Sequence, residues 1–178
     1  SPVVLHRVPP VKDVLVALEV LRQLGARVDF DPTVGSAVID ATGVDTTEMP
    51  SDLTGRLRAS VLFVGPLLSR FHNVTIAEVG GCNIGARSTD YHYRGFARMG
   101  ATVKAAGSGG YKVVASSLAG ANMYLDLPSH TGVENLIMAA SLARGESVIV
   151  NAASDPEICD FVQLLVKMGA RVKGVGTR

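Results

Sequence analysis

Gly80-Gly81-Cys82-Asn83-Ile84-Gly85-Ala86-Arg87 sets a thiol and a guanidinium five positions apart in a backbone loosened by three glycines. Glycine adopts conformations that other residues resist and lets backbone come close to a ligand. A nearby guanidinium favours the thiolate and can fork onto a phosphate or carboxylate. The pattern suits a loop that touches an anionic ligand. The alternative is a glycine-rich turn with an incidental cysteine.

Three further places carry candidate chemistry. Arg58 opens an apolar helical stretch, where a cation opposes the helix dipole, so it either binds an anion together with the helix end or covers the helix entrance as a solvated side chain. Pro128-Ser129-His130-Thr131-Gly132 precedes the apolar run that starts at Val133, and its hydroxyls and free N–H groups suit a phosphate. Equally, Ser129 or Thr131 is a plain N-cap with Glu134 or Asn135 near the third helical position, and a lone His130 is a weak ligand signal. Ser88, Thr89, Asp90 and Tyr91 stand where an amphipathic helix begins, and one of the first three could be its cap. Asn151 to Glu157 introduces the last helix with a cap, a proline and two acids, a structural arrangement unless Asp155 and Glu157 face a cleft. Cys159, beside Ile158 and Phe161, reads as a buried small hydrophobe.

The elements that must position these residues repeat. Leu24-Gly25-Ala26-Arg27-Val28, Met99-Gly100-Ala101-Thr102-Val103 and Met168-Gly169-Ala170-Arg171-Val172 each end an amphipathic helix with a glycine and run into a strand, at intervals of roughly 70 residues. A nearly uncharged helix precedes the first strand of the later copies, over 59–71 and 133–143, leading into strands at 74–79 and 147–151. Pro66 is expected to kink the earlier of these helices. The first copy starts at a strand over 3–6, and Lys104 to Tyr111, with its glycines, reads as a hairpin turn. The expectation is an α/β domain of three repeated units, 1–50, 56–115 and 118–178, with the apolar helices packed centrally and the sheets outside. The chain is expected to be cut from something longer at both ends.

Composition narrows the partners. Only 19% of residues are charged, against about 25% in an average soluble domain, while 47% are hydrophobic with 19 glycines besides, so helices are buried all round or a face is normally covered by another domain. Net charge is +1 with scattered Lys and Arg, which leaves no electrostatic footprint for nucleic acid or anionic membrane. No apolar run is long enough to span a bilayer and no signal peptide pattern opens the chain. Two distant cysteines fit a reducing cytoplasm, and without a P-loop, a dinucleotide fingerprint or a His-Glu-x-x-His pattern no cofactor or metal is expected.

Taken together, Leu57-Arg58-Ala59-Ser60, Gly65-Pro66-Leu67-Leu68, Arg70-Phe71, the Gly80 to Arg87 loop, Asp90, His92, Glu134-Asn135, Ala139-Ala140, Asn151-Ala152-Ala153 and Pro156-Glu157-Ile158 resemble the enolpyruvyl transferases of the UDP-N-acetylglucosamine 1-carboxyvinyltransferase family over essentially the whole chain. The resemblance implies an inside-out α/β barrel fold, of which this chain is most of one domain facing a second domain of the same polypeptide. It implies transfer of the enolpyruvyl group of phosphoenolpyruvate to UDP-N-acetylglucosamine in peptidoglycan precursor synthesis. By position Cys82 looks like the family's reactive, fosfomycin-alkylated cysteine, and Arg58 and Arg87 like the arginines that hold phosphoenolpyruvate. Ser88, Thr89, Asp90 and Tyr91 fall at the uridine end, and Ser129, His130 and Thr131 where the diphosphate and base are held. The chain departs from the family's usual Pro at Val79 and Ser88, its frequent Lys at Leu127, and its Ser-Val-Gly-Ala-Thr run at Ser129 to Val133. A Lys-Asn pair, a catalytic Asp and a further arginine of the family have no counterpart in these residues, so the chain alone is expected to be inactive.

Overall fold

The computed structural model describes residues 2–80, 89–107 and 109–176. They form two compact units, one of residues 2–60, 75–80 and 105–111, the other of 61–74, 89–104 and 112–176.

In the first unit, α1 (Lys12–Gln23) buries Val16, Leu18 and Val20 and carries Asp13 in its first turn and Arg22 in its last, each sign suited to its end of the helix dipole. The helix closes as the sequence predicts. Gly25, at φ +98°, gives its N–H to Arg22 O, and Ala26 gives its own to Leu21 O. A side chain at position 25 would in addition press on the Gly43 carbonyl. The chain then runs into β2 (Arg27–Asp31) and β3 (Ser36–Asp40), which form an antiparallel sheet with β1 (Val3–Leu5) in the order β1-β3-β2. β1 ends one residue earlier than expected because Arg7 turns the backbone to φ +58°. A one-turn helix, α2 (Ser51–Thr54), follows.

A second sheet has the order β4-β6-β5, from β4 (Asn73–Ile76), β5 (Thr102–Ala106) and β6 (Gly110–Val114). The expected hairpin joins β5 to β6. β4 is shorter than the expected 74–79, and Gly80, beyond its end, donates to Thr54 O instead of to a strand.

The helix expected over 59–71 is two structures. A 3-10 run, Arg58–Phe63, precedes α3 (Val64–Phe71). Pro66 explains the change, since it has no N–H to offer and its ring crowds the carbonyl four residues back, so an α-helix can hold it only in its first turn. In the second unit α3 packs on α5 (His130–Ala140), which also receives α4 (Asp90–Arg98). Leu67, Leu68, Phe96, Val133, Leu136 and Ala139 meet in this core. The apolar helix is thus shifted from the expected 133–143: it starts at once after Ser129, which caps it, and stops at Ala140. A parallel pair, β7 (Asn122–Tyr124) with β8 (Val148–Val150), and α6 (Pro156–Lys167) complete the unit. β8 is shorter than expected because Asn151 takes φ +58° and turns its amide onto Leu125 O at 2.7 Å.

The glycine signals at the other two helix ends hold, with Gly100 at φ +95° and Gly169 at φ +105°. Ala101 and Ala170 make the closing bonds to Phe96 O and Leu165 O. The strand expected after Gly169 does not form. Residues 170–174 lie outside any strand. Cys159 is half-buried instead of buried, because the buried positions of α6 are Ile158 and Val162.

Candidate functional site

Three helix starts come together in the second unit. Ser129 has extended backbone, φ −113° and ψ 118°, and its Oγ accepts the Gly132 N–H at 3.2 Å. That hydroxyl therefore acts as an N-cap. The third helical position is Gly132, so neither Glu134 nor Asn135 closes a capping box. Gly132 has a second consequence. A Cβ there would lie 3.1 Å from Ser129 Oγ and 3.8 Å from Tyr91 Cβ, so a bare backbone lets the first turn of α5 lie against the first turn of α4.

α4 begins at Asp90, with Thr89 at the N-cap position making no capping bond through its side chain. Asp90 is exposed, and Thr89 and Tyr91 are half-buried. Tyr91 carries the Arg94 guanidinium 5.4 Å from its ring centroid, and Arg94 also pairs with Asp126. Beside them runs a groove of about 290 Å³ lined by Tyr91, Arg94, Arg98, Tyr124 and Asp126 among others.

On the other side of α5 the imidazole of His130 reaches α6. Its Nε2 lies 3.0 Å from Asp155 Oδ2 and its Nδ1 lies 3.4 Å from Glu157 Oε1. Asp155 occupies the N-cap position of α6 but makes no capping bond, its carboxylate being turned to His130 instead. Glu134 sits one turn along α5 from His130, and its carboxyl is held above its ordinary value near 4.5 by burial, with His130 opposing the shift and Glu157 adding to it. A carboxyl whose folded value is raised keeps its proton more tightly when folded, so stability falls as pH rises from the unfolded value through the folded one. Glu134→Gln is therefore expected to raise the thermal midpoint above that window and leave it unchanged near pH 4. Unfolding curves at the two pH values check this, and an equal gain at both would refute it.

Of the candidate residues, the structure joins Tyr91 to the Ser129–Gly132 turn, with His130 and Thr131 in the first turn of α5. Arg58 belongs to the first unit, half-buried at the start of the 3-10 run. Cys82, Arg87 and Ser88 lie outside the described residues. Asp155 and Glu157, read from the sequence as a helix introduction unless they face a cleft, meet His130, and Glu134 gains charged neighbours in His130 and Glu157. The available signal was two acids flanking Pro156, with a histidine at another helix start.

A family model described as EPSP synthase (3-phosphoshikimate 1-carboxyvinyltransferase) matches residues 1–178. The chain belongs to the EPSP synthase family. Within the family, it is 46% identical over 178 residues to a protein of Thermobifida fusca (strain YX) named UDP-N-acetylglucosamine 1-carboxyvinyltransferase, covering 98% of this chain and 41% of that protein. The resemblance read from the motifs is borne out at that level. Among solved structures, the enolpyruvyl transferase NikO from Streptomyces tendae superposes with a TM-score of 0.82 at 21% identity, over 100% of this chain and 43% of NikO. EPSP synthase from Acinetobacter baumannii superposes with a TM-score of 0.76 at 18% identity, over 97% of this chain and 39% of that one. The fold is accordingly the mixed α/β fold of the enolpyruvyl transferases. Among the described residues no helix is long and apolar enough to cross a membrane.

Proposed function

We propose that the protein carrying this chain transfers the enolpyruvyl group of phosphoenolpyruvate to the 3-hydroxyl of UDP-N-acetylglucosamine, the first committed step of peptidoglycan precursor synthesis, in the cytoplasm. The 3-oxygen bonds to C2 of phosphoenolpyruvate, the bond from C2 to the phosphate oxygen breaks, and the hydroxyl proton leaves with the phosphate. The observation that carries this reading is the extent of identity to the Thermobifida fusca protein, which covers nearly all of the chain. The same comparison favours a nucleotide-sugar acceptor over a shikimate-type one, since likeness to the Acinetobacter EPSP synthase structure is one of fold.

In this reading Cys82 gives a proton to C3 of phosphoenolpyruvate as the 3-oxygen adds to C2, and C3 gives a proton up again as phosphate leaves and the double bond re-forms. Cys82 also assists product release, and Arg58 and Arg87 bind the phosphate and carboxylate. Ser88, Thr89, Asp90 and Tyr91 meet the uridine end, and Ser129, His130 and Thr131 the diphosphate. Support for the last two groups is the close approach of Tyr91 to the capped first turn of α5, where a Cβ on Gly132 would lie 3.8 Å from Tyr91 Cβ. The unit belongs to an inside-out barrel of three repeats that faces a second domain of the same polypeptide, and residues from that domain complete the cleft. The isolated chain is then inactive. Concentrating positive groups where charge develops on the enolpyruvyl centre and the leaving phosphate is the main source of rate.

The expected result is phosphate release from phosphoenolpyruvate that requires UDP-N-acetylglucosamine and is not supported by shikimate 3-phosphate. Release with shikimate 3-phosphate alone would move the assignment to the shikimate-type reaction. No release with either, from intact full-length protein, would leave a nucleotide-sugar-binding relative without the activity.

A further inference from the structure

α4 starts without help from its own cap. Thr89 makes no capping bond through its side chain, and the His92 N–H turns back to Thr89 O at 3.2 Å. A first turn held in this way frays unless something else fixes it. Yet it carries Asp90 and Tyr91, which the proposed reaction gives to the uridine end. We propose that His92 is the positioning residue for that end of the site: its imidazole, bonded to Asn135 of α5, holds the first turn of α4 where Asp90 and Tyr91 meet the acceptor nucleotide. The inference rests on the nucleotide-sugar reading of the site.

His92 is the third residue of α4 and is 2% exposed. Its Nδ1 lies 2.9 Å from Asn135 Nδ2. The polarity of that contact is set from the far side of Asn135. The Gly65 N–H can only donate, so the amide branch 2.8 Å from it is the oxygen, and the other branch, 2.8 Å from Val61 O, is the nitrogen. His92 Nδ1 must then bring a lone pair. Turning the ring over would put Cδ2 where the acceptor is needed, so the bond admits one orientation of the imidazole.

The same face of α5 meets the neighbouring residue of α4. Gly132 stands about one turn before Asn135, and a Cβ there would lie 3.8 Å from Tyr91 Cβ. Tyr91 thus comes close to the first turn of α5 while His92 is bonded to its middle. Of the two contacts, the second alone is directional. A bare Gly132 permits the approach of Tyr91 but does not set it, so the rotation of the first turn of α4 is left to the His92 bond.

The test uses intact full-length protein, steady-state kinetics for both substrates and thermal unfolding. Asparagine sets its Oδ1 on the same side-chain carbon that bears Nδ1 in histidine, so His92→Asn keeps an acceptor facing Asn135 Nδ2. His92→Leu fills the space with none, and His92→Gln carries its polar atoms one bond further out. His92→Leu and His92→Gln are each expected to raise KM for UDP-N-acetylglucosamine about tenfold, the size of one buried hydrogen bond, with kcat and the KM for phosphoenolpyruvate within about twofold of the parent. His92→Asn is expected to stay within about threefold of the parent throughout. A histidine that only packed the core would rank leucine above asparagine and would move the thermal midpoint without separating the two KM values. Equal KM for UDP-N-acetylglucosamine in His92→Asn and His92→Gln, or a change confined to kcat, overturns the positioning role, and this pair decides it if His92→Leu does not fold. Phosphate release that UDP-N-acetylglucosamine does not stimulate in the parent protein is a separate failure, of the reading beneath the inference, and overturns both.

Discussion

Replacing Cys82 by alanine is expected to cut UDP-N-acetylglucosamine-dependent phosphate release by about 10²–10⁴-fold, the range over which a positioned proton donor or acceptor contributes to a rate. The same cut corresponds to about 3–5 kcal/mol of transition-state stabilisation. Among side chains, a thiol set between Gly80, Gly81 and Gly85 and followed by Arg87 has two reasons to react, since the guanidinium favours the thiolate and the glycines give the loop close approach. Cys159→Ser is expected to leave the rate near that of the parent. That cysteine lies in α6 among residues the proposed chemistry does not use. Fosfomycin separates the two thiols independently of turnover: the expected adduct maps to Cys82 by mass spectrometry, and an adduct confined to Cys159 would reverse the assignment. A Cys82→Ala protein that keeps a tenth or more of the activity would remove the thiol from the proton-transfer step.

What could be read in advance divides by how local its cause is. The glycines at 25, 100 and 169 were legible as helix ends because a C′ residue is selected by its own backbone angle, and all three take positive φ. The Ser129 hydroxyl was legible as a possible cap for the same reason. The register of α5 was not, because Thr131 and Gly132 look like loop residues until Tyr91 is packed against them. Pro66 announced a disturbance, but its form, a 3-10 run handing over to an α-helix, depends on Asn135 taking the Gly65 N–H from another helix. For the meeting of His130 with Asp155 and Glu157 the only signal was two acids flanking Pro156 and a histidine at another helix start, with nothing local to join them. Each residue alone is an ordinary helix-start residue, and only the packing of α5 beside α6 turns three of them into a constellation.

Asn135→Ala is expected to cost about 2–4 kcal/mol, the largest stability loss of any single polar truncation in the second unit. The side chain is fully buried in the middle of α5. Its Oδ1 accepts the Gly65 N–H at 2.8 Å, and its Nδ2 donates to Val61 O at 2.8 Å. The same Nδ2 lies 2.9 Å from His92 Nδ1, which fixes that nitrogen as an acceptor and places the ring proton on Nε2. One amide therefore joins α5 to α4, to α3 and to the end of the 3-10 run. Truncation leaves a buried donor and buried acceptors without this partner, each worth about 1–3 kcal/mol when wholly unsatisfied, partly offset where water enters the space. Asn135→Leu should do no better, since it restores volume but none of the bonds. Asn135→Asp keeps the acceptor for Gly65 yet turns an anion on the Val61 carbonyl, so it too is expected to lose stability. The neighbouring Gly65 is part of the same device, because a Cβ there would collide with the Asn135 carbonyl and Oδ1 and push α3 off α5. Urea unfolding at constant m-value measures the effect, and a loss under 1 kcal/mol for Asn135→Ala would mean that the amide fills space without holding the helices in register. Because α5 carries Ser129, His130 and Thr131 at its start, the same substitution should weaken substrate binding at temperatures where the unit is still folded, a coupling from core amide to site that a KM measurement below the thermal midpoint reads directly.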